Sequence, residues 1–295
     1  MNAFQQIGAI IQDNALGGEI SCPKSVNLHF WPKCNYRCKF CFVRFPQNMQ
    51  SLPVEDWKTI LNELAVEGVK KVNFAGGEPT LSPFLTDLIK HAKSLGMITS
   101  IISNGFGITR EFLDLVEDSL DIVGLSIDSS NESIQQYLGR GDGNHVEHIR
   151  ILSSIIQEYN LFLKINTVVT ALTWQEDMNS LIQDIRPNRW KVFQFLPVEG
   201  QNDLFAQSLS LSQTEFIHFL NIHKRVSPVS ENNDLMSGSY CMIDPTSRIY
   251  QNANGSYIHS KPILERGFIN AIREVGFNEE KFFKRSGYYG LKTRK

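Results

Sequence analysis

Cysteine is scarce in this chain, five residues in 295, and three of the five fall within eight positions, which is a poor disulfide framework. A reducing, cytoplasmic compartment is the expectation, because clustered thiolates and any iron they hold are lost to oxidation. No run of about 18 apolar residues occurs, so the pattern of a transmembrane helix is excluded. The start, Met1-Asn-Ala-Phe-Gln-Gln6, lacks the basic stretch of a secretory signal, and residues 4–11 predict a short surface helix rather than a membrane anchor. Charge is balanced, 29 Lys and Arg against 31 Asp and Glu, a net of −2. No global field therefore advertises nucleic acid, although a local basic pocket stays open. Internal repeats and low-complexity segments are missing as well. What the chain does have is apolar content, 42% hydrophobic residues, enough for one large core or two smaller ones.

Between residues 25 and 196, apolar runs of strand length alternate with stretches of helical period. The pattern predicts strands at 26–31, 71–75, 98–103, 122–128, 162–169 and 192–196, with helices at 54–67, 83–95, 109–117, 145–159 and 174–185. Pro83 near a helix start, and Gly68 and Gly96 near helix ends, suit the capping asymmetry. Such alternation argues for an α/β fold with a parallel sheet and right-handed crossovers. Six units are too few for an eightfold barrel, so the expected architecture is an open, partial (β/α)6 barrel over 25–200. A flat doubly wound sheet is the alternative. Residues 1–24 form a short N-terminal extension, and 201–295 a longer C-terminal one with a helix at 213–226 and an irregular tail. That tail reads as a cap on the barrel mouth rather than a second domain.

Directly after the first strand comes Cys34-Asn-Tyr-Arg-Cys38-Lys-Phe-Cys41. Three thiolates can hold three irons of a cubane cluster and leave the fourth iron open. Electron carriers of the ferredoxin type use a fourth cysteine, and structural zinc also wants four ligands. The spacing resembles that of the radical S-adenosylmethionine (SAM) enzymes. That likeness implies one 4Fe-4S cluster whose open iron takes SAM, and cleavage of SAM to a 5′-deoxyadenosyl radical. Ala75-Gly-Gly-Glu-Pro79 ends the second strand; Gly76 and Gly77 let backbone approach a ligand, and Glu78 could accept from the SAM amino group. Alone this is a common turn, but it lies one βα unit after the cysteines. Ser103, Asn104 and Ser126 lie at strand ends where barrel ligands bind, although turn chemistry explains Asn-Gly equally well. Arg140 could pair its planar fork with the SAM carboxylate; an exposed loop arginine is the competing reading.

Side chains alternate faces along a strand, which sorts each strand into two sets. Asn27, His29 and Trp31 oppose Val26, Leu28 and Phe30; Lys71, Asn73 and Ala75 oppose Val72 and Phe74. Gly124, Ser126 and Asp128 oppose Val123, Leu125 and Ile127; Lys164 and Asn166 oppose Ile165. The apolar sets suit surrounding helices. The polar sets then line the lumen, where a dry core would not tolerate lysine and asparagine unpaired. Arg189 and Lys191, at the start of the sixth strand, add positive charge. The physical reading is a wet cationic cavity for a small polyanion, most simply a phosphate ester. For any one lysine, a strand-end ammonium in water competes. Several basic residues sharing inner parity with asparagines favour the pocket. His29 reads as an acid or base, or as a satisfied inward histidine. Cys22 and Cys241 read as extra cluster ligands or as small buried hydrophobes. Tyr240 reads as a hydrogen or proton donor, or as a packed tyrosine.

Over roughly 25–289 the chain resembles the viperin family of radical SAM enzymes. The likeness rests on Asn27-Leu-His-Phe30, the cysteine motif with Phe42, Lys71-Val-Asn-Phe-Ala-Gly-Gly-Glu-Pro79 and Gly139-Arg-Gly-Asp-Gly-Asn-His145. Lys164-Ile-Asn166, Asn188-Arg-Trp-Lys-Val-Phe-Gln194, Val198-Glu-Gly200 and Phe277-Asn-Glu-Glu-Lys-Phe-Phe-Lys-Arg285 support it. The resemblance implies that a nucleoside triphosphate (CTP, UTP or GTP) loses its C4′ hydrogen and then its 3′-hydroxyl. The product is a chain-terminating, antiviral 3′-deoxy-3′,4′-didehydro nucleotide. By matching motifs, Asn27, Lys71, Asn73, Lys164, Asn166, Arg189 and Lys191 would hold the nucleotide. Gly76, Gly77, Glu78, Ser103, Asn104, Ser126 and Arg140 would hold SAM, with backbone from Phe42; Cys34, Cys38 and Cys41 would hold the cluster; and Tyr240 would act late. Implied partners are an electron donor such as a flavodoxin or ferredoxin and the iron-sulfur assembly machinery, with neither nucleic acid nor membrane. The N-terminal membrane helix and terminal tryptophan of the animal proteins are not matched, and Lys261 is a candidate substitute phosphate contact. Two competing readings are a radical SAM enzyme acting on a peptide or other small molecule, and a non-enzymatic metal-binding protein. Only Cys241 follows Cys41, which counts against auxiliary clusters, and the missing fourth ligand counts against a structural metal.

Overall fold

The computed structural model describes residues 22–289, so the segment 4–11 and the tail 290–295 lie outside the described residues. Six strands pair side by side in parallel: β1 (Ser25–Trp31), β2 (Lys71–Gly76), β3 (Ile98–Ser103), β4 (Ile122–Ser126), β5 (Phe162–Val169) and β6 (Arg189–Gln194). A seventh, β7 (Val229–Glu231), joins β6 in parallel. Beyond β1, β8 (Met242–Ile243) leads to the antiparallel pair β9 (Arg248–Ala253) and β10 (Ser256–Pro262). The sheet runs β10-β9-β8-β1-β2-β3-β4-β5-β6-β7, with β10 and β7 at its open edges. This is the expected α/β architecture with an unclosed parallel sheet.

Helices α1 (Val54–Val66), α2 (Leu85–Ser94), α3 (Arg110–Val116), α4 (Glu132–Tyr137), α5 (His145–Glu158) and α6 (Asn179–Ile185) connect the first six strands. After β6 come α7 (Asp203–Leu209), α8 (Gln213–Ile222), α9 (Asn233–Met236), α10 (Ile263–Arg266), α11 (Phe268–Val275) and α12 (Glu279–Lys284). Val26, Leu28, Phe30, Val72, Phe74, Val123, Leu125, Leu163 and Ile165 are all fully buried, in one core with Trp57, Ile60 and Leu61 of α1 and Leu88 and Ile89 of α2. Each such side chain contributes about 1.5–3 kcal/mol by leaving water, so the apolar parity sets the helical side of the sheet. The opposite parity forms the inner face.

Several boundaries differ from the sequence expectation. The fourth strand stops at Ser126, because the Asp128 carboxylate takes over and accepts from the Val168 amide at 2.8 Å. The sixth starts at Arg189 rather than 192, since its inner positions are basic and no apolar run reveals them. The helix read from 174 begins at Asn179, after turns in which Trp174 donates to the Thr170 carbonyl and Asp177 accepts from the Asn179 amide. The helix read over 213–226 ends at Ile222, followed by a separate 3-10 turn Lys224–Val226. The tail after residue 226 is not irregular; it supplies β7–β10 and the four helices α9–α12. Gln251 and Asn252 are buried on β9, so polar residues hide that strand from a hydropathy reading. Trp31 also departs from its parity set: a register shift after Leu28 lets its ring meet Phe84 edge-on at 5.7 Å.

Candidate active site

The three free thiols of Cys34, Cys38 and Cys41 lie on the loop that leaves β1. Backbone clamps it on two sides. On one, the Gly77 and Glu78 amides donate to the Trp31 and Lys33 carbonyls at 2.8 Å each. A Cβ on Gly76 or Gly77 would collide with those carbonyls, and Gly76 has φ +136°, so the two glycines serve close approach of this turn to the cysteine loop. On the other, the Lys39 amide donates to the Leu138 carbonyl at 2.8 Å, and a Cβ on Gly139 would strike the Arg37 carbonyl. Burial raises all three thiol pKa values, Cys38 to about 12, while the Arg140 charge pulls the other way.

The strand ends around this loop are tightly bonded. Glu78, 1% exposed, accepts from the Thr80 amide (3.1 Å), the Thr80 hydroxyl (2.6 Å), the Ser103 hydroxyl (2.7 Å) and the Asn104 amide (2.8 Å). Its carboxylate therefore braces the turn, which differs from the free acceptor that the motif suggested. Asn104 in turn donates to the Asn35 side chain of the cysteine loop at 2.8 Å. Arg140 is buried and ion-paired through Nε with Asp128, also buried, at the end of β4. Burial opposes the Arg140 charge, but Asp128 and the Cys38 thiol outweigh it and raise its pKa. Asp128 stood in the inner set without a partner, since nothing local links it to a residue twelve positions on. The Ser126 carbonyl accepts from His145 Nε2 at 2.8 Å. Burial lowers the His145 pKa to about 3, so the ring is neutral, and its buried Nδ1 has no partner among the described residues. Phe42, half exposed, turns its carbonyl to the Tyr257 hydroxyl at 2.8 Å.

The register aligns the basic residues in rows. Asn27 faces Asn73, and the Asn73 amide nitrogen donates to Asn27 Oδ1 at 3.1 Å. Gly124, Lys164 and Arg189 form one row, and Ser126, Asn166 and Lys191 the next. Lys164 has no hydrogen-bond or ion-pair partner among the described residues; burial, then Lys191 and Lys71, drive its pKa well down. The buried Asn166 Oδ1 and Arg189 Nε are also without partners there. Burial, then the Lys191 and Arg189 charges, lowers the Lys71 pKa to about 7.

Sequence reasoning missed the residues that meet this floor from the C-terminal region. Glu231 of β7, fully buried, ion-pairs with Lys191, lies 3.4 Å from Arg285 and accepts from the Tyr240 hydroxyl at 2.5 Å. Lys191 reaches the same hydroxyl at 3.3 Å, so Tyr240 joins the basic floor. Tyr289 receives a hydrogen bond from Lys71 at 3.1 Å and lies under the Arg189 guanidinium, 4.1 Å from its ring centre. The carboxylate-basic-tyrosine combination carries no local signal. Elsewhere, His29 is hydrogen-bonded to Tyr250, and burial lowers its pKa to about 3, matching the satisfied inward histidine. Cys22 and Cys241 pack on the apolar core away from the cysteine loop, and Lys261 is exposed on edge strand β10.

The donor sets fit the groups the motifs imply. Three thiols on one clamped loop beside a guanidinium suit an anionic thiolate cluster. Arg140, Asn104 and the Gly76–Gly77 backbone meet the same loop and suit an amino acid moiety, with Ser126 at the end of β4. Lys164, Asn166 Oδ1 and Arg189 Nε, without bonding partners among the described residues, suit a phosphorylated ligand.

Residues 28–178 match the Radical SAM superfamily model. Over 279 residues the chain is 43% identical to the S-adenosylmethionine-dependent nucleotide dehydratase of Flammeovirga pacifica, spanning 91% of this chain and 96% of that one. It is 38% identical to the protein of the same description from Lacinutrix mariniflava, spanning all of this chain and 64% of that one. Among solved structures, native anSMEcpe with bound AdoMet and a peptide superposes with a TM-score of 0.62 at 18% identity, covering 88% of this chain and 80% of that one. That likeness shows the fold.

Proposed function

The chain belongs to the radical SAM superfamily and, within it, to the S-adenosylmethionine-dependent nucleotide dehydratases, and from that premise we propose that it dehydrates a nucleoside triphosphate to the 3′-deoxy-3′,4′-didehydro analogue. The observation that carries the reading is the floor of rows Gly124-Lys164-Arg189 and Ser126-Asn166-Lys191, beside the strand ends that brace the cysteine loop. With the cluster bound at Cys34, Cys38 and Cys41 and SAM beside it, the site supplies one-electron cleavage of SAM and a carbon radical able to abstract hydrogen.

The chain's own residues bind and orient. Lys71 and Lys191, buried, and Lys164 and Arg189, partly buried, offer the triphosphate basic groups whose removal from bulk water makes each contact count. Asn27, Asn73 and Asn166 offer amide groups to the sugar. Arg140, fixed by Asp128, holds a carboxylate, while Glu78 keeps the adjoining turn in place. Holding reactants in line is the main catalytic task where a reactive radical would attack whatever lies nearest. Tyr240 keeps its proton on Oη, since burial raises its pKa well above the ordinary range, and supplies it late. A chain-terminating product gives the enzyme an antiviral role in the cytoplasm, served by a flavodoxin or ferredoxin and by cluster-assembly proteins. No helix among the described residues is long and apolar enough to cross a membrane.

The test is reconstituted enzyme with SAM, dithionite and each of CTP, UTP and GTP, read by mass spectrometry. The expected result is nucleotide-stimulated 5′-deoxyadenosine and a product lighter by one water, both lost in Cys38→Ala. Formation of 5′-deoxyadenosine that no nucleotide stimulates would sink the reading.

A further inference from the structure

The surface over the cysteine loop is chemically unlike the rest of the molecule. Between Glu19 and Glu55 the sequence has no Asp or Glu, yet it places Lys33, Arg37, Lys39 and Arg44 on or beside the loop, in a chain whose net charge is −2. None of these four cations has a carboxylate partner among the described residues. Arg37 and Arg44 fold onto the loop, donating to the Cys34 carbonyl at 2.7 Å and the Cys38 carbonyl at 2.5 Å. Lys39 stands 3.5 Å from the ring centre of Tyr137, which is 58% exposed.

Next to the loop lies the start of α7. The Arg44 amide donates to Gln201 Oε1 at 2.6 Å, and Asn202 reaches the Phe40 carbonyl at 3.5 Å. Leu204, one residue into α7, is 90% exposed. Asp142, which acts on Tyr36, Asp203, which accepts from the Gly200 amide, and exposed Glu199, two residues before Gln201, border the patch. The loop itself carries cations and no carboxylate. Exposed apolar side chains ringed by unpaired charge of one sign mark a docking surface for a partner of the opposite sign.

We propose that this surface, built from Lys33, Arg37, Lys39 and Arg44 around Tyr137 and Leu204, docks an acidic one-electron carrier protein directly over the cysteine loop. The inference rests on the radical SAM reading, which requires an electron to enter at those cysteines. Each encounter transfers one electron: the reduced carrier is oxidised by one, and the cluster is reduced by one. A small, charge-steered contact suits this exchange, because redox encounters are brief and bury little area. The apolar pair gives the contact its short-range part and the cations its steering.

The experiment compares cluster-loaded wild type with Lys33→Glu/Lys39→Glu and with Leu204→Asp. Binding of a purified acidic flavodoxin, and separately of an acidic [2Fe–2S] ferredoxin, is measured by calorimetry across ionic strength. Turnover is then measured with the carrier or with dithionite. Charge reversal should weaken carrier binding by about tenfold or more and flatten its salt dependence. Leu204→Asp should weaken binding with the salt slope retained. Iron content and dithionite-driven 5′-deoxyadenosine should match wild type, and that arm separates this idea from failure of the dehydratase reading. Unchanged carrier binding in both variants would overturn the proposal. So would an equal fall with dithionite, or a loss confined to binding of a single-stranded RNA probe.

Discussion

At the C-terminal ends of β2–β4 the polar side chains are bonded to one another, whereas on β5 and β6 Lys191 is paired with Glu231 but Lys164, Asn166 Oδ1 and Arg189 Nε have no bonding partner among the described residues. Glu78 has four donors within the chain, and Arg140 has Asp128. A saturated network fixes geometry before any ligand arrives, and an unsaturated one stores binding capacity at the expense of stability. Mutations at the two ends should therefore move stability in opposite directions.

The largest effect is expected at the bonded end. Asp128→Asn leaves the buried Arg140 guanidinium uncompensated, which costs about 3–5 kcal/mol. Urea unfolding should show a lower midpoint at an unchanged m-value. A midpoint within experimental error of wild type would mean that the pair is already solvated, and the contrast between the ends would collapse.

At the open end, Lys164→Met removes a desolvated amine that no described residue bonds and whose charged form burial disfavours. Stability should rise by about 1 kcal/mol, because replacing such a group by apolar volume is neutral or favourable. The nucleotide concentration needed for half-maximal 5′-deoxyadenosine production should climb by about tenfold or more. A variant that is both less stable and equally active would show that Lys164 is a structural residue.

The pH dependence sharpens the same contrast. Burial holds the folded Lys71 pKa near 7, below its ordinary 10.5. Between those values the unfolded chain binds more protons, so this group makes the ligand-free protein more stable as pH rises from about 7 toward 10.5. Phosphate favours the charged lysine, so nucleotide binding takes up a proton in that window and its affinity falls as pH rises. Calorimetry in buffers of different ionisation enthalpy should detect the uptake at about pH 8. Affinity that rises over the window would remove Lys71 from the phosphate contacts.

What could be read from the sequence follows the same division. The cysteine loop, Gly76–Gly77 and the basic parity rows are local patterns, and the register carries Lys164, Arg189, Asn166 and Lys191 into adjacent positions. The Glu231 network was not readable, because Glu231 arrives on a strand of three residues, 40 positions after Lys191. Arg285 and Tyr289 close on the floor from beyond α12, with no periodicity that points inward. Asp128 was in the right set, but its role depended on a loop arginine whose direction only the folded chain defines. Trp31 was in the wrong set because a bulge breaks strand parity.

Tyr240 sits where the two regimes meet, and its removal should give a stability effect far smaller than that of Asp128→Asn. Its hydroxyl bonds Glu231 at 2.5 Å and is reached by Lys191 at 3.3 Å, but Glu231 keeps its ion pairs with Lys191 and Arg285 when the hydroxyl is gone. Tyr240→Phe should thus lose only about 1 kcal/mol, the net worth of one hydrogen bond. Nucleotide affinity should change by less than about threefold, since the cations of the floor stay in place. What should fall is the yield of dehydrated nucleotide per 5′-deoxyadenosine formed, because hydrogen abstraction precedes the step that needs the Tyr240 proton. A packing role predicts the opposite pattern, in which both products decline together and their ratio holds. The ratio therefore decides whether this tyrosine belongs to the chemistry or to the wall around it.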